Sequence, residues 1–164
     1  MRSPLLAVCL LALGVLGQPS AANAAFPGAS ERGSAVYRYL GFPLYEARLL
    51  TKGGSAFDWN QQFGVELRYL RNLTQYDLVE GTMRELKRTG GAMNVRGKLE
   101  DCFKDVSKGD RFLAVTNGPN RLAFYLNGRQ TCTLTHPQIT YRFMSIFLGE
   151  NTRSQRFTRN LLGQ

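Results

Sequence analysis

Two hydrophobic patterns alternate along this chain, and their order limits the folds that it can adopt. Residues 63–69 alternate strictly between apolar and polar side chains, which is typical of a strand with one buried face. Residues 75–88 instead repeat apolar side chains every three or four positions, as an amphipathic helix does. Over the whole chain the patterns predict strands, then two helices, then strands, then two helices. That order predicts an α+β domain, an open-faced β-sandwich with a layer of helices on one face of an antiparallel sheet.

Turn and cap signals set the bounds of the predicted elements. Strands are predicted at residues 35–40, 44–50, 63–69, 111–116, 121–126 and 129–134, and helices at residues 75–88, 92–103, 137–148 and 153–163. Residues 28–33 are predicted to lead into the fold without regular structure. Thr74 and Thr152 are the predicted N-caps of the first and last helices, and Asn127-Gly128 is the strongest hairpin signal.

The first helix is predicted to divide into an apolar face and a polar face. Its apolar stripe consists of Tyr76, Val79, Met83 and Leu86. The charged side chains between them, among them Glu85, are predicted to lie toward solvent.

Residues 1–24 have the pattern of a cleavable signal peptide. Arg2 precedes an apolar run at residues 5–16, which is too short to span a bilayer. Ala22-Asn23-Ala24 fits a cleavage site that would release a chain starting near Ala25. An uncleaved membrane anchor is the alternative. Cleavage predicts one folded domain at residues 25–164, located in the periplasm or secreted.

Two cysteines, Cys102 and Cys132, follow the predicted signal peptide. Export to an oxidising compartment favours a disulfide between them. Two separate buried thiols fit the sequence equally well, because free cysteines behave as small apolar residues. The sequence alone does not place the two backbones within bonding reach.

The chain is strongly basic, with a formal net charge of +9. Such a charge favours anionic lipid surfaces, polyanions or anionic small ligands as partners. The basic residues are dispersed, however, and Lys87-Arg88 is the only adjacent pair. Because no basic run is interleaved with aromatic residues, we predict no nucleic-acid partner. Contact with a membrane surface and the oligomeric state are left open.

Motifs for metal, cofactor or nucleophilic chemistry are missing from the sequence. The single histidine, His136, precedes Pro137 and is interpreted as a residue of the following helix start. One histidine and two distant cysteines do not form a metal site. The sequence has no Gly-x-Ser-x-Gly turn, no phosphate-binding loop and no dinucleotide glycine pattern. We therefore predict no cofactor, no metal and no catalytic residue.

Tyrosines and arginines on or beside the predicted strands are the remaining candidates for a binding site. They are Tyr37, Tyr39, Tyr45, Tyr69 and Tyr125, with Arg32, Arg38, Arg48, Arg68 and Arg71. Strand tyrosines usually serve packing, and strand arginines usually lie at the surface. A cluster that faces a cleft would instead suit an amphiphile with a carboxylate or enolate head, because arginine binds such groups through two hydrogen bonds.

Several short segments, taken in order, resemble the bacterial chalcone isomerase-like family across residues 30–163. They are residues 41–49 (GFPLYEARL), 67–72 (LRYLRN), 85–88 (ELKR), 106–110 (VSKGD), 124–128 (FYLNG), 143–149 (FMSIFLG) and 161–163 (LLG). The resemblance implies an antiparallel sheet, a layer of helices and a cleft between them. Enzymes of the family cyclise a chalcone to a flavanone without a cofactor, and relatives without this activity bind fatty acids in the equivalent cleft.

The catalytic features of the family transfer only in part. Arg32 is similar to the family arginine that stabilises the negative oxygen. Tyr45 lies where the enzymes have a strand threonine, and tyrosine is the pattern of the non-catalytic relatives. Residues 72–74 lead directly into the predicted helix, without the hairpin that carries the catalytic tyrosine. The resemblance therefore implies a member that does not perform the family's reaction.

The sequence thus leads to three hypotheses. The first is a non-catalytic domain that binds a small apolar or amphipathic anionic ligand, fatty-acid-like or polyphenol-like, in a cleft between sheet and helices. The second is a cofactor-free isomerase or lyase, and the third is a structural or interaction module of the cell envelope. For the first, the predicted ligand-binding residues are Arg32, Tyr45, Ala47, Leu49, Tyr69 and Arg71, with Arg32 or Arg71 as the anion anchor.

Overall fold

The computed structural model describes residues 24–164 of the chain. The predicted signal peptide, residues 1–24, lies outside the described residues except for Ala24. Within the described part, no helix combines the length and the apolar character needed to cross a membrane.

One antiparallel sheet of six strands forms the framework, with the strands side by side in chain order. The strands are β1 (Ala29–Tyr39), β2 (Phe42–Lys52), β3 (Phe63–Tyr69), β4 (Arg111–Thr116), β5 (Arg121–Leu126) and β6 (Arg129–Thr135). Each strand pairs with the next one along the chain, so a meander connects all six. β1 and β6 are the two edges.

Within residues 26–164, four helices pack against one face of this sheet. They are α1 (Gln75–Gly90), α2 (Arg96–Cys102), α3 (Ile139–Leu148) and α4 (Gln155–Leu161). The main core lies between the helices and the sheet, where Leu49, Leu99 and Leu161 are fully buried. The structure therefore confirms the predicted α+β architecture, with an antiparallel sheet and helices on one face.

The first strand begins earlier than the sequence predicts. Residues 29–33, predicted to be a leader, pair with the end of β2. Gly33 lets the end of α4 approach β1 closely, because a side chain at this position would collide with the carbonyl oxygens of Asn160 and Leu161. The end of α4 thus crosses closely over β1, a contact between distant parts of the chain that local sequence does not show.

The helix caps agree with prediction at one of the two predicted sites. Thr74 caps α1, with its hydroxyl accepting the backbone N–H of Asp77 at 3.2 Å and the Asp77 carboxylate accepting the backbone N–H of Thr74 at 2.9 Å. The cap of α4 is Ser154, whose hydroxyl accepts the backbone N–H of Phe157 at 3.2 Å. The predicted cap, Thr152, lies outside the helix and hydrogen-bonds the hydroxyl of Thr158 at 2.7 Å.

The faces of α1 differ from the prediction at two positions. Val79 and Leu86 are buried, as the apolar stripe predicts. Tyr76, predicted to belong to this stripe, is 71 % exposed. Glu85, predicted to lie toward solvent, has a side chain that is only 13 % exposed. The helix therefore turns a different edge toward the sheet, and Glu85 faces the interior.

Cys102 and Cys132 form a disulfide that joins α2 to β6. Their Cα atoms are 5.1 Å apart, within the usual range for a bridge. The bond closes a loop of 30 residues that contains β4 and β5. It therefore holds the edge strand β6 and the helix layer together.

The opposite face of the sheet carries a buried ion pair and a small apolar cluster. Glu66 of β3 is 2 % exposed. Its carboxylate binds Arg48 and also Arg111, the latter at 2.7 Å. At one side, Phe26 packs against Leu50 and other apolar residues. The predicted polar face of β3 is thus present, but its central acid is paired and buried.

Candidate functional site

A cavity of about 500 Å³ lies between the sheet and the helix layer. It opens at the end of the sheet where β1 ends, β2 begins and β3 ends. Tyr39, Leu44 and Tyr69 line it from these three strands. α1, α3 and the start of α4 close the other side. A volume of this size is within the range of small-molecule sites in proteins.

Aromatic rings form the inner wall of the cavity, and Tyr45 lies at their centre. Its ring stacks on that of Tyr37, with centroids 5.2 Å apart and an angle of 19° between the planes. The rings of Tyr69, Phe147 and Phe157 meet Tyr45 edge-on, each with a centroid distance of 6.4 Å. Because aromatic rings in such contacts are held in place, this wall is apolar and rigid.

The inner wall also carries the phenol hydroxyls of Tyr45 and Tyr69, which are uncharged. Within residues 24–164, the hydroxyls of Tyr45 and Tyr69 have no hydrogen-bond partner on the protein, and neither atom is sealed from solvent. Burial raises the pKa of both phenols above the ordinary value. They therefore stay neutral at physiological pH and can each donate one hydrogen bond to a ligand.

One face of α1 forms the roof of the cavity. Leu78, Gly81, Thr82 and Glu85 line it, at the three- and four-residue spacing that places side chains on one side of a helix. Gly81 has no side chain, and a Cβ atom added there would meet nothing within 4 Å. The glycine thus leaves part of the volume open.

A group of charged residues lies at the rim, and most of it is internally neutralised. Glu85 accepts hydrogen bonds from Arg88 at 2.7 Å and from Arg153 at 2.6 Å. Burial raises the pKa of the Glu85 carboxyl, but the bonds from the two arginines outweigh this effect and lower the pKa below its ordinary value. Glu85 is therefore ionised and holds both arginines in place.

Two further arginines at the rim lack such a partner. Arg71 and Arg84 line the cavity, and neither pairs with a carboxylate within residues 24–164. The Arg71 guanidinium lies over the ring of Phe42, 5.7 Å from its centroid. The lining also includes the acids Asp77, Glu80 and Glu85, so the rim carries both signs of charge, and Arg71 and Arg84 are its arginines without an ion pair in the described part of the chain. That arrangement suits an amphiphile with an anionic head.

Comparison with known proteins gives a structural relative but no sequence relative. No family model matches the sequence, and no curated protein matches it. The structure matches the crystal structure of a fatty-acid binding protein of Arabidopsis thaliana with a TM-score of 0.65. The identity is 10 %, and the match covers 84 % of this chain and 88 % of the plant chain. The fold is the chalcone isomerase-like fold.

The connection from β3 to α1 is short. β3 ends at Tyr69, and α1 begins at Gln75. Between them Leu73 makes a single bridge with Val106. No hairpin intervenes between β3 and α1, as the sequence predicts. Residues 70–74 therefore form a short, direct connection.

The structure brings together three of the six predicted ligand-binding residues. Tyr45, Tyr69 and Arg71 all line the cavity. Ala47 and Leu49 follow Tyr45 on the same face of β2, but both are fully buried in the core and are not part of the lining. The helices cover this part of β2 completely, and the cavity therefore lies nearer the end of the sheet.

Arg32 lies away from the cavity. Its Nε donates a hydrogen bond to the carbonyl oxygen of Leu162 at 3.1 Å, near the end of the chain. The pairing of β1 with β2 is irregular between Glu31 and Gly33, on either side of Arg32. Of the two predicted anion anchors, only Arg71 is placed at the cavity.

Several cavity residues were not predicted from the sequence. They are Leu78, Gly81, Arg84, Phe147, Arg153 and Phe157. The spacing of Leu78, Gly81 and Glu85 on one helix face was the available signal, since a glycine within an apolar helix face marks open space or close packing. Phe147, Arg153 and Phe157 come from the last 20 residues, and only the folded chain brings them to β2.

Metal ligation is not supported in the described part of the chain. Residues 24–164 contain no group of three or more histidine, cysteine, aspartate or glutamate residues arranged to hold a metal ion. His136 is half-buried, and its Nδ1 lies 3.0 Å from the carbonyl oxygen of Pro137.

Proposed function

We propose that this protein is a non-catalytic binding protein for a small amphipathic anion of the fatty-acid type. The observation that carries the proposal is the aromatic cavity of about 500 Å³ with Arg71 and Arg84 unpaired at its rim. A saturated or aromatic tail would lie against Tyr45 and Phe147, and a carboxylate would lie at the rim. Burial of the tail supplies the affinity, and the arginines supply the preference for an anion.

The arrangement of charge favours this orientation over the reverse one. The inner wall has only neutral phenols and apolar rings, so an ionised head there would lose its hydration without a countercharge. At the rim, Arg153 is already engaged by Glu85 at 2.6 Å. Arg71 and Arg84 are therefore the groups free to bind a carboxylate, and both are partly in water, where a charged head keeps some hydration.

Two features support a binding role without catalysis. Tyr45 occupies the position where the resemblance places a threonine in the enzymes, and its ring fills the centre of the wall. The hairpin that would supply the catalytic tyrosine is replaced by a direct connection into α1. The plant protein of the same fold is described as a fatty-acid binding protein, which agrees with this proposal.

We also propose that the protein belongs to the bacterial chalcone isomerase-like family and is exported after removal of residues 1–24. The apolar run and the Ala22-Asn23-Ala24 motif support export. The disulfide between Cys102 and Cys132 supports it as well, because such bonds persist mainly in oxidising compartments. Detection of a mature N-terminus near Ala25 by mass spectrometry would test the cleavage.

Native mass spectrometry tests the proposed function, with a long-chain fatty acid and the fatty alcohol of the same length as probes. We expect one fatty acid per chain at micromolar concentration and weaker binding of the alcohol. If neither the fatty acid nor the fatty alcohol binds, the proposal is contradicted. A parallel absorbance assay with a chalcone would reveal isomerase activity, and turnover abolished by Arg71→Gln would favour the enzyme hypothesis instead.

A further inference from the structure

The turn that joins β1 to β2 has a residue that its geometry disfavours. Leu40 and Gly41 occupy its two central positions, with φ angles of 49° and 82°. Positive φ at both positions defines the two-residue hairpin turn that prefers Asn-Gly. The hairpin between β5 and β6 follows that preference, since Asn127 and Gly128 have φ angles of 50° and 80°. Leucine in the left-handed region is sterically costly, so Leu40 is not there for the turn itself.

The side chains at this hairpin are apolar and unusually exposed. Leu40 is 80 % exposed and Phe42 is 63 % exposed. Val36 and Tyr39, on the strand leading to the turn, are 46 % and 44 % exposed. Three large apolar side chains thus lie at the turn and a fourth follows on the same strand, a concentration that marks an interaction site more often than an accident of surface composition.

Arginines surround the tip on its helix side. An open depression of about 650 Å³ lies between β1 and α4, lined by Val36, Arg38, Leu40, Arg153 and Arg156 among others. Arg153 is bound to Glu85, whereas Arg38 and Arg156 form no ion pair within residues 24–164. Apolar residues at the apex are therefore followed by unpaired cations a short distance behind.

We propose that the β1–β2 hairpin docks on the surface of an anionic phospholipid bilayer. Leu40 and Phe42 would enter the boundary between headgroups and acyl chains, as apolar residues of peripheral proteins do. Tyr39 would lie at the level of the headgroups, where tyrosine is favoured. Arg38 and Arg156 would contact lipid phosphates, each adding attraction to the negative surface.

A bilayer fits this surface better than a second copy of the chain does. A stable protein interface buries at least about 1,000 Å² in total and needs a closely complementary shape on the partner. A bilayer, in contrast, accepts a narrow apolar tip without a complementary shape. The ordering of apolar, tyrosyl and cationic groups along the hairpin also follows the depth profile of a membrane interface.

Docking in this way would also orient the cavity. Tyr39 belongs to both the hairpin and the cavity lining, and Arg71 at the cavity rim contacts Phe42 of the hairpin. The cavity opening would therefore face the lipid surface. The docking proposal does not depend on the proposed ligand, because vesicle binding and fatty-acid binding are measured separately.

Sedimentation with vesicles tests the proposal. The protein is purified in the form that the cell produces, and every variant has the same N-terminus as the wild type. Vesicles of phosphatidylcholine alone are compared with mixed phosphatidylcholine–phosphatidylglycerol vesicles. We expect binding to the mixed vesicles that weakens as salt is raised. Leu40→Asn should reduce this binding about ten-fold, because it removes the apolar apex. Its melting temperature should be unchanged or higher, because asparagine suits the turn.

Control variants separate the hairpin from general surface effects. Tyr141 is 57 % exposed and contacts Trp59 of the β2–β3 loop, at the opposite end of the sheet. Tyr141→Ser should leave vesicle binding unchanged. The double variant Arg38→Gln with Arg156→Gln should lose about five-fold per arginine on mixed vesicles.

Three results would overturn the proposal. They are wild-type protein that does not bind mixed vesicles, Leu40→Asn protein that binds them as the wild type does, and binding that is insensitive to salt and to both arginines. Light scattering on the wild type and on Leu40→Asn tests whether a second copy of the chain binds the hairpin instead. A dimer that this substitution dissociates, with no vesicle binding, would assign the tip to a second copy of the chain and overturn the membrane proposal.

Discussion

The ring of Tyr45 lies stacked on the ring of Tyr37, 5.2 Å away, at the inner end of the cavity. β1 and β2 pair these two residues directly across the strands, so the stack is a product of the strand register. A one-residue shift would turn one of the rings to the other face of the sheet. The register of one hairpin thus sets the shape of the cavity.

Buried phenols should make the protein less stable as the pH becomes alkaline. Tyr45 and Tyr69 have raised pKa values when folded and ordinary ones, near 10, when unfolded. Above about pH 10 the unfolded chain therefore loses these protons first, and the free energy of unfolding falls as pH rises. The fall should approach about 1.4 kcal/mol per pH unit for each phenol.

Urea denaturation at a series of pH values between about 9 and 12 measures this effect. Tyr69→Phe should make the decline shallower because one of the two buried phenols is gone. Tyr76→Phe is the control, since Tyr76 is 71 % exposed and solvated in both states. Equal declines in the wild type and Tyr69→Phe would show that Tyr69 is not held neutral by burial.

Loss of charge at Glu66 should destabilise the sheet. Glu66 is 2 % exposed and binds both Arg48 and Arg111. Glu66→Gln leaves the two guanidinium groups facing each other without an anion. We expect the free energy of unfolding to fall by about 2 kcal/mol, less than for a wholly buried pair because both arginines are partly exposed.

Glu46→Gln provides the matched control on the same sheet face. Glu46 lies 3.6 Å from Arg68, and both side chains are about as exposed as ordinary surface residues. Its removal should change the free energy of unfolding by no more than about 0.5 kcal/mol. Similar losses in the two variants would mean that burial of Glu66 adds nothing to its ion pairs.

Removal of the disulfide should lower stability through the unfolded state. Cys102 and Cys132 close a loop of 30 residues. For a loop of that length the chain-entropy model gives about 3.5 kcal/mol. The double variant Cys102→Ala with Cys132→Ala should therefore unfold at a lower urea concentration. Non-reducing peptide mapping of the wild type provides the check, and two free thiols in exported protein would contradict the bond.

The rim arginines should determine the preference for an anionic head. Arg71→Gln with Arg84→Gln should reduce fatty-acid affinity about ten-fold while leaving affinity for the matching fatty alcohol nearly unchanged. Isothermal titration with both ligands gives the ratio. Arg32→Gln serves as the control because Arg32 hydrogen-bonds Leu162 away from the cavity. A larger loss in Arg32→Gln than in the rim variant would reinstate Arg32 as the anchor.

Local signals were sufficient for much of the fold. The bounds of β4 and β5 are those predicted, because the turns beside them, including Asn127-Gly128, have strong turn residues. The start of β1 was missed because its polar residues form an edge strand whose partners lie in β2. Edge pairing of this kind is decided by tertiary contacts and has no local apolar pattern.

Cavity residues could be predicted from the sequence only where the alternation of side chains along one strand decides which way they face. Tyr45 and Tyr69 face the helices because alternate strand residues share one face. Glu85 was placed toward solvent because its partner Arg153 is 68 residues further along the chain. Arg32 was placed in the cavity by resemblance alone, and the contact between its side chain and Leu162 could not be seen in the sequence.

The most direct test of the account is to fill the cavity without damaging the fold. Gly81→Leu places a side chain into the space that Gly81 leaves open on the cavity face of α1. Gly97→Leu makes the same change on α2, where an added Cβ also meets nothing within 4 Å and no cavity lies beneath. Both substitutions should preserve or raise stability, because glycine is a poor helix former.

Isothermal titration of the two variants with a long-chain fatty acid then decides whether the cavity is the binding site. We predict that Gly81→Leu loses at least about ten-fold in affinity while Gly97→Leu binds as the wild type does. Undiminished binding by a folded Gly81→Leu protein would contradict this prediction.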